Sequence, residues 1–555
     1  MSESEQDLGF LFDYMCRTYS RREIFKTGAV LAGAGIGLTS LLSACGSSGS
    51  TANPTPSGSA GLTTEAPKTG GTLVFARRQG PTSLDPLNNV GGNGDIFADE
   101  IIYASLVRPD PKGSDNLVPG LSDHWTVSAD GLDYTFHIRD NAKWSTGESV
   151  TAEDVKFSMD RFGEPKTNVM FPNLAVGYKS TEIVDPSTVI VHLSKPVSAF
   201  LYYISILTGM ILPKKLVEAQ GKKFFSKPVG AGPFMVKEWL LGSHITFARN
   251  PYYWEAGKPY LDEVRYDITT DDNARMLALR TGQADAVDGV PFSEIGTLKS
   301  NSSVYLQFSK VPYFEGLSLN NTRPYFADLK VRQALQYAID KAGINAAVFA
   351  GTGTIPNSIF PALRYDATSQ QLPPYPFDVA KAKQLISESS VPNGFSTTLQ
   401  YPAGFAYYAK LSLILQEAWK QIGVDVKLIE QDQGTETQKF FAMEYDMTFP
   451  FAQYTSDVVV PDEYASFFND PNSGLKGFYS GWHDAAIWDM LQKFQGADEA
   501  TRTTLWPQIQ KAQLDASPMI NIMDLPFIQA YANKVRNPDV NALGANRLEN
   551  TWLAS

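Results

Sequence analysis

Cysteine is almost missing from this sequence: there are two in 555 residues, Cys16 and Cys45, and neither lies beyond position 45. The main body can therefore form no disulfide and offers no thiolate to a metal or to nucleophilic chemistry. Histidine is nearly as scarce, and His124, His137, His192, His244 and His483 are scattered, with no His-x-His and no HExxH. Local spacing thus assigns no metal ligands, and each histidine reads as a surface or core-edge residue. A GxSxG elbow and a P-loop are also lacking, which removes local support for serine hydrolase chemistry and for ATP hydrolysis. Outside residues 27–44 no apolar run reaches the roughly 20 residues that a membrane-spanning helix needs. Basic clusters are missing too. The 47 Lys plus Arg against 59 Asp plus Glu give a net charge of −12, which disfavours a nucleic-acid partner and leaves the acidic surplus to serve solubility.

Paired carboxylates such as Asp271-Asp272 and Asp462-Glu463 are present, as in any acidic chain of this size. Adjacent acids of this kind read as solvated faces or helix N-termini, not as a glycosidase pair. With no catalytic constellation, the reading turns to binding, and no cofactor is called for.

What is present begins with residues 1–44. Arg17, Arg21, Arg22 and Lys26 precede the uncharged stretch 27–44, in the order of a secretory signal. SRREIFK resembles the twin-arginine export motif, with Arg21 and Arg22 as the pair, and Leu42-Ser43-Ala44-Cys45-Gly46 resembles a lipobox with Cys45 as the lipid-modified residue. Residues 45–70, rich in Ser, Thr, Gly and Pro, read as a flexible tether. GAGIG at 33–37 lacks the third glycine of a dinucleotide fingerprint, because Leu38 stands there.

Length suggests three or four domain-sized units, at roughly 150 residues each. TLVFA at 72–76 reads as a strand and DIFADEIIYASLV at 95–107 as a helix. HWTVSADGLDYTFHIRD at 124–140 is a hairpin turning at Asp130-Gly131, and Thr151 caps a helix that begins with two acids. Strand pairs follow at 181–193 and 232–250. The segments 263–269, 271–282 and 284–290 give strand, helix, strand, a parallel unit. Beyond about 320 long helices surround the short strands STTLQY and VDVKLIE, a second α/β unit.

The blocks GGTLVFARRQGPTSLDPLNN, VPGLSDHWTVSADGLDYTFHIRDNAKWSTGESVTAEDVKFSMDRF, VGAGPFMVKEWLLGSHITFARNPYYW and LNNTRPYFADLKVRQALQYAIDKAGI resemble the peptide- and nickel-type (family 5) extracellular solute-binding proteins of ABC importers, in order over residues 71–540. The resemblance implies an α/β, two-lobed fold of the type II periplasmic-binding-protein kind with an extra strand-rich domain. Lobe I would comprise 71–115, 231–318 and 516–555, the extra domain 116–230 and lobe II 319–515, with chain crossings near 316–321 and 517–523 as the hinge. It also implies a monomer that works beside ABC permease subunits, held by lipid on the outer face of the cytoplasmic membrane or in the periplasm, and not an enzyme.

Within the resemblance, FAQYTSDVVVPDEYASFF carries the ligand motif of peptide-binding members, with Asp457 placed to meet a peptide's α-amino group and Gln453, Tyr454 and Thr455 lining the pocket. Val90, Gly91 and Gly92 match the first-lobe stretch that meets the ligand, and Tyr313 and Phe314 are further candidates. The sequence departs from the motif at Val460, where an acid is frequent. A non-peptide solute such as an oligosaccharide, opine or metal chelate therefore stays open beside a peptide, with a secreted hydrolase as the disfavoured third reading.

Overall fold

The computed structural model describes residues 65–88, 93–112, 114–168, 172–359, 364–365, 375–449, 454–455, 459–463, 469–471, 477 and 480–554, all within one unit, Gly58–Ser555. The export pair Arg21 and Arg22, the lipobox Cys45 and most of the tether lie outside them.

Alternating burial along Thr72–Arg77 places Leu73 and Phe75 in a core and makes this strand the centre of a seven-stranded sheet. It pairs in parallel with Glu263–Ile268 on one side and with Ala286–Val287 on the other, so the expected parallel unit forms, with the intervening helix Asp272–Thr281 capped by Asp271. The second of these strands is two residues long, and carboxylates extend the join on either side of it. Asp285 and Asp288 accept from the backbone N–H groups of Val74 (3.0 Å) and Arg78 (2.8 Å), while the Asp285 N–H also donates to Val74 O at 2.7 Å. Val304–Ser309, Phe527–Ala532, His244–Arg249 and Phe234–Leu240 complete the sheet.

A second sheet of six strands is built on Tyr313–Leu319, with Phe395–Pro402 and Val424–Gln431 pairing in parallel farther out. Helix Ala406–Lys420 lays Leu411, Leu415 and Trp419 against it, each fully buried. At roughly 1.5–3 kcal/mol per buried large apolar side chain, that stripe holds the helix to the sheet. The chain passes from the first sheet to the second at 310–312 and returns at 525–526. The stretches 316–321 and 517–523, expected as crossings, instead fall largely in two strands, Tyr313–Leu319 and Met519–Asp524, which pair with each other. Apolar composition explains the shift: Leu317, Leu319, Ile520 and Ile522 are core residues, and a connection would expose them.

The third element is a four-stranded antiparallel sheet, Ser122–Val127, Asp133–Ile138, Thr188–Leu193 and Tyr178–Asp185 in spatial order. Its first hairpin turns at Asp130-Gly131 as expected, with Gly131 at φ 69°, where a side chain is disfavoured. Helix Ala152–Gly163 closes its inner face, and Thr151 and Asp154 form a capping box at its start. The helix expected over 95–107 stops at Ile102, and Val107–Pro109 turns into a strand. Pro109 biases its predecessor to extended backbone, and Leu106 and Val107 are fully buried in the core under the four-stranded sheet.

Candidate functional site

The strand Tyr313–Leu319 begins where the chain enters the second sheet, and its burial becomes complete after the first residue. Phe314 is fully buried, while Tyr313, half-buried, approaches Phe527 with ring centroids 6.4 Å apart. Glu315 is buried among phenols: Tyr408 Oη lies 3.1 and 3.2 Å from its two carboxylate oxygens and Tyr407 Oη 3.3 Å from one. Burial pushes the Glu315 carboxyl well above its ordinary range, partly offset by donation from the two tyrosines.

Around Tyr407 stand Phe292 at 5.7 Å, Phe405 at 6.2 Å and Phe349 at 6.2 Å, centroid to centroid. Arg78 closes this aromatic box from the other sheet, its guanidinium carbon 4.2 Å above the Phe405 ring. A cation over an aromatic face is attracted by the ring quadrupole. The neighbouring Arg77 turns inward instead, pairing with Asp288 at 3.0 Å and stacking over Phe97. Asp288 thus holds one arginine by its side chain and the other by its backbone N–H. The result is a half-exposed guanidinium at the junction of the two sheets, set in aromatic surroundings: a place suited to a ligand carboxylate.

Of the residues singled out from sequence, Tyr313 and Phe314 lie at this junction. Tyr454 and Thr455, described in backbone only, pair antiparallel with them, Tyr313 opposite Thr455 and Phe314 opposite Tyr454. Asp457, Gln453, Val90, Gly91 and Gly92 lie outside the described residues.

The apolar loop after Asp457 has a clear destination. Val459 and Val460 are buried in the cluster that forms the core of the four-stranded sheet, near Tyr202, Ile206 and Leu543. Val460 therefore replaces a frequent acid with a packing residue. Next to it, Asp462 and Glu463 are buried and not solvated as adjacent acids were expected to be. Asp462 receives both arms of Arg502, at 2.9 and 2.5 Å, and Arg502 also donates to Tyr365 Oη at 2.8 Å.

The chain just beyond the strand Thr188–Leu193 also meets the end of the helix Ala485–Gln495 and the turn after it, at a rim. Ser198 donates its N–H to Gln495 O at 2.9 Å and its hydroxyl to Ala497 O at 2.6 Å. Arg364 reaches Asp115 at 3.7 Å and Glu499 at 3.2 Å, with its guanidinium 5.6 Å from the Tyr202 ring centroid.

Sequence reasoning missed Arg78, Glu315 and this rim. The Arg77-Arg78 pair at the end of the first strand was the available signal, since alternation sends one of two consecutive strand residues outward.

The family model described as bacterial extracellular solute-binding proteins, family 5, middle region, matches residues 116–475. The glutathione-binding protein GsiB of Salmonella typhimurium is 34% identical over 320 residues, which is 57% of this chain. The chain spans 61% of that relative's own length. Among solved structures, the periplasmic binding protein DppA from Helicobacter pylori, in complex with the peptide STSA, is similar with a TM-score of 0.77 and 26% identity over 88% of this chain and 99% of the other. The binding protein AgaA from A. tumefaciens R10, in complex with agropinic acid, has a TM-score of 0.74 and 28% identity over 87% and 99%. Among the described residues no helix is long and apolar enough to cross a membrane.

Proposed function

Because the chain belongs to family 5 of the bacterial extracellular solute-binding proteins and shares the two-lobed, mixed α/β fold of the type II periplasmic binding proteins, we propose that it is a lipid-anchored receptor that captures peptides outside the cell and delivers them to an ABC permease. Family and fold are those of binding proteins, not of enzymes. The observation that carries the reading is the pairing of Tyr454–Thr455 with Tyr313–Phe314. It ties the chain two residues before Asp457 to the strand with which the second sheet begins, beside the aromatic box and Arg78.

In this reading Asp457 takes the α-amino group, Arg78 a carboxylate of the same ligand, and Gln453, Tyr454, Thr455 and Val90-Gly91-Gly92 the intervening backbone. Lobe I is 71–115, 231–318 and 516–555, the extra domain 116–230 and lobe II 319–515. The lobes close about the two passages at 310–312 and 525–526. A second reading, a non-peptide solute, is favoured by Val460, which packs inward where an acid is frequent, and by the agropinic acid complex of AgaA.

Mass spectrometry of what the purified chain releases on denaturation tests the ligand class. A family of short peptides is expected, whereas a single non-peptide compound would favour the second reading. The same peptides, incubated with the protein, are expected back unchanged, and their cleavage would point to a hydrolase.

The anchor is tested separately by Cys45→Ala. A diacylglyceryl group supplies two chains, enough for stable attachment where one gives only marginal binding. The variant is expected in the soluble fraction or as an unprocessed precursor. A processed form still sedimenting with membranes would remove Cys45 from the reading.

A further inference from the structure

We propose that Asp123, His124 and His137 form a site for a divalent transition-metal ion, such as Zn2+ or Ni2+, on the outer face of the four-stranded sheet. Their ligand atoms, one from each residue, all lie within 4.8 Å of one another. His124 and His137 are 13 positions apart in sequence, but antiparallel pairing sets them directly opposite on adjacent strands. Their rings stack with centroids 5.0 Å apart.

Consecutive strand residues normally point to opposite faces, so Asp123 would ordinarily be turned away from His124. The register shift between Ser122 and His124 changes this. The bulge re-aims the carboxylate toward the histidines, and Ser122 Oγ pins it by donating to His124 O at 2.6 Å. As a result Asp123 Oδ1 lies 2.5 Å from His124 Nδ1 and 3.1 Å from His137 Nδ1.

An ion bound tetrahedrally at roughly 2.0–2.1 Å from each ligand needs those atoms about 3.3 Å apart. The His137 pair needs a shift of tenths of an ångström, and the His124 pair somewhat more. Side-chain exposures of 68% for His124, 38% for Asp123 and 31% for His137 leave room for that adjustment. Each imidazole must carry its proton on Nε2 so that Nδ1 presents a lone pair to the ion. Remaining coordination positions face solvent and would be filled by water. Two imidazoles and one carboxylate suit Zn2+, Ni2+ or Cu2+; Mg2+ and Ca2+ prefer oxygen donors alone.

A third histidine on the same sheet supplies the control. His192 Nδ1 lies 2.7 Å from Asp133 and its Nε2 3.2 Å from Glu182, so its two nitrogens face separate carboxylates and do not converge with them on one point.

The test is calorimetric titration of the untagged, chelator-stripped protein with Zn2+, alongside Co2+ titration followed by visible absorption. Parent and variants keep the same two cysteines, so any thiol binding cancels in the comparison. One ion per chain is expected at this site, weakened at least tenfold by His124→Ala and by His137→Ala and unchanged by His192→Ala. The cobalt bands should fade in the first two variants. Identical isotherms for the parent and the His124→Ala/His137→Ala double variant, with circular dichroism showing both folded, would overturn the proposal. So would a loss confined to His192→Ala. Neither outcome bears on the solute site, which is tested with peptides.

Discussion

Asp457→Asn is expected to weaken binding of a free short peptide roughly thirtyfold or more, while N-acetylation of that peptide weakens binding to the parent by a similar factor. An ammonium enclosed away from water needs a compensating charge, and a neutral acceptor leaves most of its desolvation cost unmet. Truncating one member of an enclosed, hydrogen-bonded charge pair costs ~2–5 kcal/mol, and each 1.4 kcal/mol is about tenfold. An exposed pair would lose only ~0–1 kcal/mol, so the size of the change separates a closed cleft from a surface contact. The acetylated peptide should bind the Asn variant at least as tightly as the parent, because in the parent it encloses the Asp457 carboxylate without a partner, whereas an amide has no charge to strand. Calorimetry on the four combinations reads this directly. An Asn variant that is folded by circular dichroism and binds the free peptide as tightly as the parent would move the weight to the non-peptide reading.

Arg502→Met is expected to destabilise the protein by ~3–5 kcal/mol. Both partners of its ion pair are almost fully buried, with side-chain exposures of 2% for Arg502 and 1% for Asp462. The substitution leaves the carboxylate enclosed without its cation, and it also removes the guanidinium that lies 3.9 Å over the Phe494 ring. Adding Asp462→Asn should recover a good part of the loss, since an amide has no charge to strand. Urea unfolding of the three proteins gives the comparison. A Met variant within about 0.5 kcal/mol of the parent would mean that the Asp462 carboxyl is satisfied or neutralised without Arg502, and would overturn the expectation. Because Asp462 follows Asp457 by five residues, the single variant should also weaken peptide binding through a loosened loop, an effect that the double variant reverses.

The elements read most faithfully from sequence were those fixed by neighbours a few positions away. Asp130-Gly131 dictates its turn, Thr151 and Asp154 cap each other, and Asp271 caps the helix that starts beside it. Alternation along Thr72–Arg77 likewise shows itself within six residues. What escaped was made by partners far apart in the chain. Glu315 meets Tyr408 across 93 positions, and Asp462 meets Arg502 across 40; nothing local distinguishes such a buried acid from a solvated one. Arg78 resembles any strand-end cation until Phe405 is folded beneath it. The histidines looked scattered because spacing rules find ligands on one helix or one turn, whereas His124 and His137 are joined by register across a hairpin. For the ligand contacts, family motifs carried what local chemistry did not: Asp457 was singled out by its place in a pattern.

The bonds from Ser198 to Gln495 and Ala497 touch no part of the junction where a solute is proposed to sit. Each contributes about 0.5–1.5 kcal/mol net, and that contribution is the same whatever is enclosed. Selectivity is a difference between two affinities, so a uniform gain cancels from it. On the proposed closure of the lobes, the rim would act on time and not on choice. Its bonds would have to break before the lobes part, slowing escape of every cargo by a common factor, while discrimination would stay with the few groups that touch the cargo itself.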